Sequence, residues 1–273
     1  MTNTKQEKQK EKPASKKCII VLLIIAGLLF TAWLWLTPSG FWSKLNAIAY
    51  SVCHQLPDHS FAFGDLNPPL CARCTGMYLG ALITIIAHFI WGKHGKFPPW
   101  WITVFLIIGL IAFAVDGVNS TLSLFSWYPK LYETTNLTRL ITGLAVGLGI
   151  GSTLSVVFNQ TVWINYQRSS AFEKGHRFLS IVLVLALLAA AIYSQKPVLF
   201  YPVSILTGCA IVFILWMLHC TLATFILKRS NQANSWRDLL PQGLLGLIMT
   251  FAQIGILSLA RYLLTGTWLP LVL

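Results

Sequence analysis

The chain has 273 residues, of which 56% are hydrophobic and only 10% are charged. Because soluble domains carry about 25% charged residues, this composition excludes a water-soluble globular protein and predicts an all-α, polytopic membrane helical bundle. The net charge of +12 does not indicate nucleic-acid binding. Many of the lysines lie immediately before the first apolar run, as in a cytoplasmic flank that faces the anionic lipid bilayer.

The apolar runs predict about seven transmembrane helices. Residues 1–17 are polar and lysine-rich, which predicts a disordered basic cytoplasmic tail. The run at 18–36 is too long for a signal-peptide core and no small-residue cleavage site follows it, so we interpret it as a retained span. Further segments of spanning length follow at 75–91, 100–118, 137–162, 178–194, 199–227 and 244–263.

One of these segments carries Gly143, Gly147 and Gly151 at four-residue spacing. Glycines at this spacing lie on one helix face and let a neighbouring backbone come close. We therefore expect the 137–162 helix to pack tightly against another span.

The reactive side chains concentrate between the first two spans, in a Cys/His loop at 37–74. Apolar residues at helical spacing over 41–52 predict a short amphipathic helix at the membrane interface. Prolines and glycines then interrupt regular structure. The cysteines and histidines of this loop are Cys53, His54, His59, Cys71 and Cys74.

The distribution of lysine and arginine predicts the orientation of the chain. Both residues are more frequent in the amino-terminal tail and in alternate connections than in the remaining connections. The positive-inside rule then places the amino terminus in the cytoplasm and the carboxyl terminus outside the plasma membrane. The Cys/His loop becomes extracytoplasmic, within a membrane domain at 18–162 that precedes a C-terminal three-helix membrane region at 163–273.

The donor set of the loop favours a metal site. Cys71-x-x-Cys74 is the tight ligand turn of tetrahedral zinc sites, with Cys53 as third ligand and His54 or His59 as fourth. The same atoms suit a thiol-disulfide oxidoreductase, with Cys71 and Cys74 as the dithiol and Cys53 as resolving thiol. Structural disulfides are a third possibility, against which the odd number of loop cysteines weighs.

Asp116 lies within an apolar span, where a charged group is costly and is by default functional or paired. We expect Arg139 as its partner, at a similar depth on the next span. The two form either a structural ion pair or a catalytic pair in which Asp116 is a general base. We expect Gln55, Arg73, Asn119 and Asn136 to complete a polar cleft beneath the metal site. A cation- or proton-coupled transporter that uses Asp116 is a further alternative.

Several of these residues form a recognisable series of motifs. Cys53-His54-Gln55 is followed by Pro69-Leu70-Cys71-Ala72-Arg73-Cys74-Thr75-Gly76, then Asp116-Gly117, then Asn136, Arg139, Thr142 and Gly143. Over residues 45–150 the chain resembles the DUF2085 family of uncharacterised integral membrane proteins of bacteria and archaea. This resemblance implies a membrane protein of unknown activity. His59 stands where the family pattern implies an arginine, which favours His59 as a metal ligand.

The sequence therefore predicts an extracytoplasmic Cys/His zinc site above a polar cleft. It assigns no reaction, no substrate and no oligomeric state. Whether such a metal is catalytic or structural depends on whether a fourth ligand closes the site.

Overall fold

A computed structural model describes residues 15–122 and 131–270, and it confirms the all-α membrane bundle. Residues 1–14 of the tail predicted for 1–17 lie outside these residues, and the first helix begins at Lys16, so the last two residues of that predicted tail are helical. In the described part, seven helices are long and apolar enough to cross a membrane. The helices are α1 (Lys16–Leu36), α2 (Phe41–Tyr50), α3 (Ala72–Trp91), α4 (Trp100–Leu122), α5 (Asn136–Val162), α6 (Gly175–Tyr193), α7 (Phe200–Ile226) and α8 (Leu240–Thr265).

The closest helix pair is α3 and α5, which run in the same direction with their backbones in contact. Gly143 lies against Met77, Gly147 against Ala81, and Gly151 against Ala81 as well. A Cβ atom added to Gly147 would lie 2.9 Å from the amide nitrogen of Ala81, which is closer than real Cβ atoms come. The glycine spacing therefore does bring a second backbone close, as predicted, and the partner is α3.

A two-stranded parallel sheet joins α3 and α5 at the end remote from the cysteines. Its strands are β1 (His94–Lys96) and β2 (Gln167–Ser170), paired with His94 opposite Gln167. The sequence analysis did not predict these strands. They are parallel because each follows one of two parallel helices at the same end of the bundle.

The short helix α2 forms where it was predicted, and it packs on α7 and α8. The side chain of Leu45 lies against Gly208 of α7, and the rings of Trp42 and Phe200 are 5.4 Å apart. The Tyr50 hydroxyl, at the end of α2, donates to the carbonyl oxygen of Thr267 at 2.8 Å. These contacts fix the end of α2, which leads directly into Cys53.

Candidate metal centre

Three cysteines meet at one end of the bundle. The Sγ atoms of Cys53, Cys71 and Cys74 all lie within 4.8 Å of one another, and this is the cluster of potential metal ligands that the described residues contain. Sulfurs that share a tetrahedral zinc ion are about 3.8 Å apart, since each Zn–S bond is about 2.3 Å long. The three side chains therefore need only small shifts to bind one ion.

The start of α3 positions two of these sulfurs. Cys71 is the N-cap residue of α3, and Cys74 lies one turn further along the same face. The first turn of a helix carries unpaired N–H groups and a partial positive charge, which favours a thiolate over a thiol. Pro68 and Pro69 immediately before Cys71 end any earlier regular structure, so the helix begins at the ligand turn.

The third sulfur accepts hydrogen bonds from two main-chain N–H groups. The amides of Gln55 and Cys71 each lie 3.4 Å from Cys53 Sγ. Gln55 has a positive φ of 59°, a conformation that non-glycine residues seldom adopt. Its side chain donates to the carbonyl oxygen of Pro69 at 2.9 Å, so Gln55 ties the Cys53 segment to the segment that leads into Cys71. Such bonds around a ligating sulfur are typical of metal centres.

The pKa values of the Cys53 and Cys71 thiols are shifted in opposite directions. Hydrogen bonding from the Cys53 thiol lowers the pKa of Cys71, since it stabilises the Cys71 thiolate. The hydrogen bond with Cys71, together with burial, raises the pKa of Cys53 to about 12. A second thiolate, at Cys53, is therefore unfavourable unless a cation lies among the sulfurs.

The two histidines of the loop lie side by side, but only His54 contacts the sulfurs. His54 Nδ1 lies 3.7 Å from Cys53 Sγ, close to the roughly 3.6 Å that separates nitrogen and sulfur ligands of tetrahedral zinc. The ring centroid of His59 is 5.4 Å from that of His54. Burial, with the nearby Arg139 charge, lowers the pKa of His59 to about 4, so its imidazole is neutral at pH 7.

Arg261 of α8 supports the Cys53 segment, and the sequence analysis assigned no role to it. Its guanidinium donates to the carbonyl oxygen of Tyr50 at 2.9 Å, to that of Cys53, and to that of His54 at 3.1 Å. The guanidinium carbon also lies 3.8 Å from the centre of the Tyr50 ring. The sequence does contain a signal for such a role, because Arg261 is a basic residue within an apolar segment, where a charge is costly.

Asp116 pairs with Arg73 and not with Arg139, so the predicted partner was wrong. Arg73 Nε donates to Asp116 Oδ2 at 3.2 Å, and Arg73 Nη2 bonds both that oxygen and the Asp116 carbonyl oxygen. The Tyr132 hydroxyl donates to Oδ1 at 2.9 Å. Arg73 is the partner because the first turn of α3 directs its side chain away from Cys71 and Cys74 and towards α4, which carries Asp116. Asp116 is fully buried and both of its oxygens are bonded.

Arg139 lies in the same layer of polar side chains, bonded to neutral partners. It donates to Asn136 Oδ1 at 2.9 Å, Ser120 Oγ at 3.1 Å and Thr134 Oγ1 at 2.8 Å. Asn136 in turn donates to the Ser60 carbonyl oxygen at 2.9 Å, which attaches the start of α5 to the Cys/His loop.

The other predicted cleft residue, Asn119, also makes a main-chain contact. It donates to the Tyr132 carbonyl oxygen at 2.8 Å and accepts from the Leu131 amide at 3.0 Å. These bonds attach the segment before α5 to the end of α4. The residues predicted to line a polar cleft thus hold neighbouring segments together.

The chemistry of the cluster is that of a site for a thiophilic cation. Three sulfurs and one adjacent imidazole are donors that suit zinc and other soft or borderline metals. Three thiolates around a divalent cation leave one net negative charge, and neither Arg139 nor Arg261, which lie near Cys71 and Cys53, has a carboxylate partner among the described residues. The arrangement can hold a metal ion.

Comparison with known proteins identifies relatives that share this region. The sequence model of DUF2085, described as a predicted membrane protein, matches residues 53–153. An uncharacterized protein from Methanocaldococcus jannaschii is 29% identical over 161 residues, which cover 54% of this chain and 97% of that protein. An uncharacterized protein from Methanothermobacter thermautotrophicus is 30% identical over 99 residues, 36% of this chain and 80% of that protein.

No solved structure matches the chain. The matched residues 53–153 include all three clustered cysteines, Arg73, Asp116 and Arg139. The chain belongs to the DUF2085 family of predicted membrane proteins.

Proposed function

We propose that this membrane protein holds one zinc ion at Cys53, Cys71 and Cys74, on the extracytoplasmic side of the plasma membrane. The observation that carries the proposal is the meeting of three sulfurs from two separate segments within 4.8 Å. The excess of lysine and arginine in alternate connections supports the orientation, with the amino terminus in the cytoplasm.

His54 is the fourth ligand in this proposal. Its Nδ1 atom is already 3.7 Å from Cys53 Sγ, whereas the His59 ring lies against the His54 ring in a tilted arrangement, with the two centroids 5.4 Å apart. Four protein ligands make a closed site, and closed zinc sites are structural. The ion would then brace the end of α2 against the start of α3.

Asp116 and Arg73 act as positioning residues for this site. Arg73 lies between Cys71 and Cys74 in the ligand turn, and its bonds to Asp116 hold that turn against α4. Because both Asp116 oxygens are bonded, by Arg73 and Tyr132, the geometry favours this role over that of a general base.

Metal analysis of the purified full chain tests the proposal. Wild-type protein, extracted without chelator, is expected to contain about one zinc ion per chain. Cys71→Ser should lose the ion, whereas Cys209→Ser, which removes an exposed cysteine of α7, should retain it. Zinc-free wild-type protein, or equal zinc content in both variants, would refute the proposal.

Thiol counting on the same samples separates zinc binding from thiol-disulfide exchange. Protein unfolded with chelator but without reductant should show Cys53, Cys71 and Cys74 as free thiols if they were metal ligands. A disulfide between Cys71 and Cys74 in metal-free protein would support the oxidoreductase alternative instead.

A further inference from the structure

A pocket of about 300 Å³ lies at the end of the bundle that carries the three sulfurs. Its walls come from α2, from the loop residues on either side of that helix, and from the segment that follows α8. Ligand pockets usually enclose about 300–1,000 Å³. The size of this pocket therefore suits a single small molecule.

A largely buried amide group lines the pocket, and its oxygen is unbonded. Gln55 is only 8% exposed. Its Nε2 atom donates to the carbonyl oxygens of Pro69 at 2.9 Å and Asn46 at 3.3 Å. Its Oε1 atom accepts no hydrogen bond from any described residue. Polar atoms of such buried side chains are normally bonded, so this oxygen calls for a ligand that supplies an O–H or N–H donor.

The other polar side chains of the pocket are neutral. Ser43, Asn46 and Asn67 line it, and their side chains form no hydrogen bond within the described part of the chain. Hydroxyl and amide groups can together donate and accept hydrogen bonds. None of the described residues that line the pocket is charged. A ligand with several hydroxyl groups matches these partners, whereas an ion would enter without a counter-charge.

One wall of the pocket is an indole ring that two other rings hold in place. The ring centroid of Trp268 is 5.1 Å from that of Tyr50 and 5.5 Å from that of Tyr262. The Tyr50 hydroxyl also donates to the carbonyl oxygen of Thr267, which fixes the main chain next to this indole. A fixed aromatic ring provides an apolar surface for the C–H groups of a ligand.

We propose that this pocket binds a neutral sugar. Hydroxyl groups of the sugar bond to Gln55 Oε1 and to the side-chain amides of Asn46 and Asn67, and the apolar side of the sugar ring packs on Trp268. The site requires no metal ion. It is nevertheless joined to the sulfur cluster through Gln55, whose main-chain N–H donates to Cys53 Sγ.

Binding of three hexoses to the wild-type chain tests the proposal. The full chain is placed in phosphatidylcholine nanodiscs, because a maltoside detergent would itself present a sugar to the site. Equilibrium dialysis then measures the binding of radiolabelled glucose, galactose and mannose, and of the uronate that corresponds to each. We expect at least one hexose to bind at one site per chain, about tenfold or more tightly than its uronate, since the carboxylate finds no cation in the pocket.

Two pairs of variants assign this binding to the pocket. Asn46→Leu keeps the size of the side chain but removes its amide, and should weaken hexose binding by about tenfold. Its control is Asn234→Leu, at an exposed position between α7 and α8. Trp268→Ala should also weaken binding, whereas Trp35→Ala, which removes an exposed ring of α1, should not. Absence of binding by all three hexoses, equal binding of hexose and uronate, or unchanged binding in both pocket variants would overturn the proposal.

Photolabelling of the wild-type chain gives a result that does not depend on the folding of any variant. The hexose that binds, fitted with a diazirine group, should label peptides that contain residues 43–47, 55–60 or 268–270. Excess unmodified hexose should suppress this labelling. Labelling confined to α4 or α6, which do not line the pocket, would contradict the assignment.

Discussion

Arg261 of α8 donates a hydrogen bond to the main-chain carbonyl oxygen of Cys53, a residue 208 positions earlier in the chain. The same guanidinium group bonds the carbonyl oxygens of Tyr50 and His54. The last helix thus fixes the main chain on both sides of a candidate metal ligand. The position of Cys53 Sγ relative to the other two sulfurs depends on a residue outside the matched family region at 53–153.

Arg261→Lys should weaken metal binding while leaving the ligands in place. Lysine keeps the positive charge, but it cannot present a planar fork to three carbonyl oxygens. Loss of such supporting contacts lowers metal affinity by about tenfold or more. Competition with a chromogenic chelator measures the change, and Arg237→Lys, at an exposed position, is the control. Unchanged affinity would show that α8 does not position Cys53.

Gly147→Ala should destabilise the fold, whereas Gly149→Ala should not. An added Cβ at Gly147 would collide with the backbone of α3, while at Gly149 nothing lies within 4 Å. Overpacking of this kind costs about 1–3 kcal/mol, and Ala at an open helical site gains up to about 1 kcal/mol over Gly. Thermal unfolding in detergent should therefore shift in opposite directions for the two variants. Equal shifts would contradict the close α3–α5 contact.

Asp116→Asn should be more damaging than Tyr132→Phe. The first change leaves the Arg73 guanidinium without its counter-ion next to a fully buried side chain, which costs about 3 kcal/mol. The second removes one hydrogen bond to Asp116, worth about 1 kcal/mol. Chemical unfolding of both variants gives the comparison. If Tyr132→Phe were equally destabilising, the ion pair would not be the main contact of Asp116.

Replacement of Gln55 should separate its backbone role from its side-chain role. At a φ of 59°, glycine is unstrained and alanine is not. Gln55→Ala and Gln55→Gly both lose the hydrogen bond to Pro69, but the alanine variant also keeps the strain. We expect the glycine variant to be about 1 kcal/mol more stable than the alanine variant, the reverse of the order in an ordinary loop. Unfolding midpoints of the two variants decide this.

Removal of the metal should loosen one end of the molecule selectively. The proposed ligands join the segment after α2 to the first turn of α3, so chelation frees these two segments first. Hydrogen exchange after chelator treatment should rise in residues 53–60 and 71–76 and remain unchanged in the centre of α7. Uniform exchange over the whole chain would argue against a local structural ion.

The local patterns of the sequence predicted the spans and the three sulfurs well. Apolar runs of spanning length identify a membrane helix by themselves, and Cys71 and Cys74 belong to one helical turn, so their proximity follows from spacing alone. Cys53 could be placed near them because it is the one further thiol of the same loop.

Contacts between distant segments could not be derived in this way. Depth in the membrane suggested Arg139 as the partner of Asp116. Depth does not specify which face of a helix carries a side chain, however, and the side chain on the face opposite Asp116 is that of Arg73. The support from Arg261 and the pairing of β1 with β2 both depend on how the helices are arranged around one another. Periodicity in a single sequence carries no information about that arrangement.

The contact between the α3 and α5 backbones has a mechanical consequence. At Gly143, Gly147 and Gly151 the backbone of α3 lies so close that sliding or rotation of one helix against the other is expected to cause collisions, so Cys71, Cys74 and Arg139 should keep fixed relative positions. Cys53 is attached instead to α2 and α8. An ion held by all three sulfurs would add a cross-link between these two parts of the bundle, and its release would leave the hydrogen bonds of Gln55 and Cys53 to join them at this end.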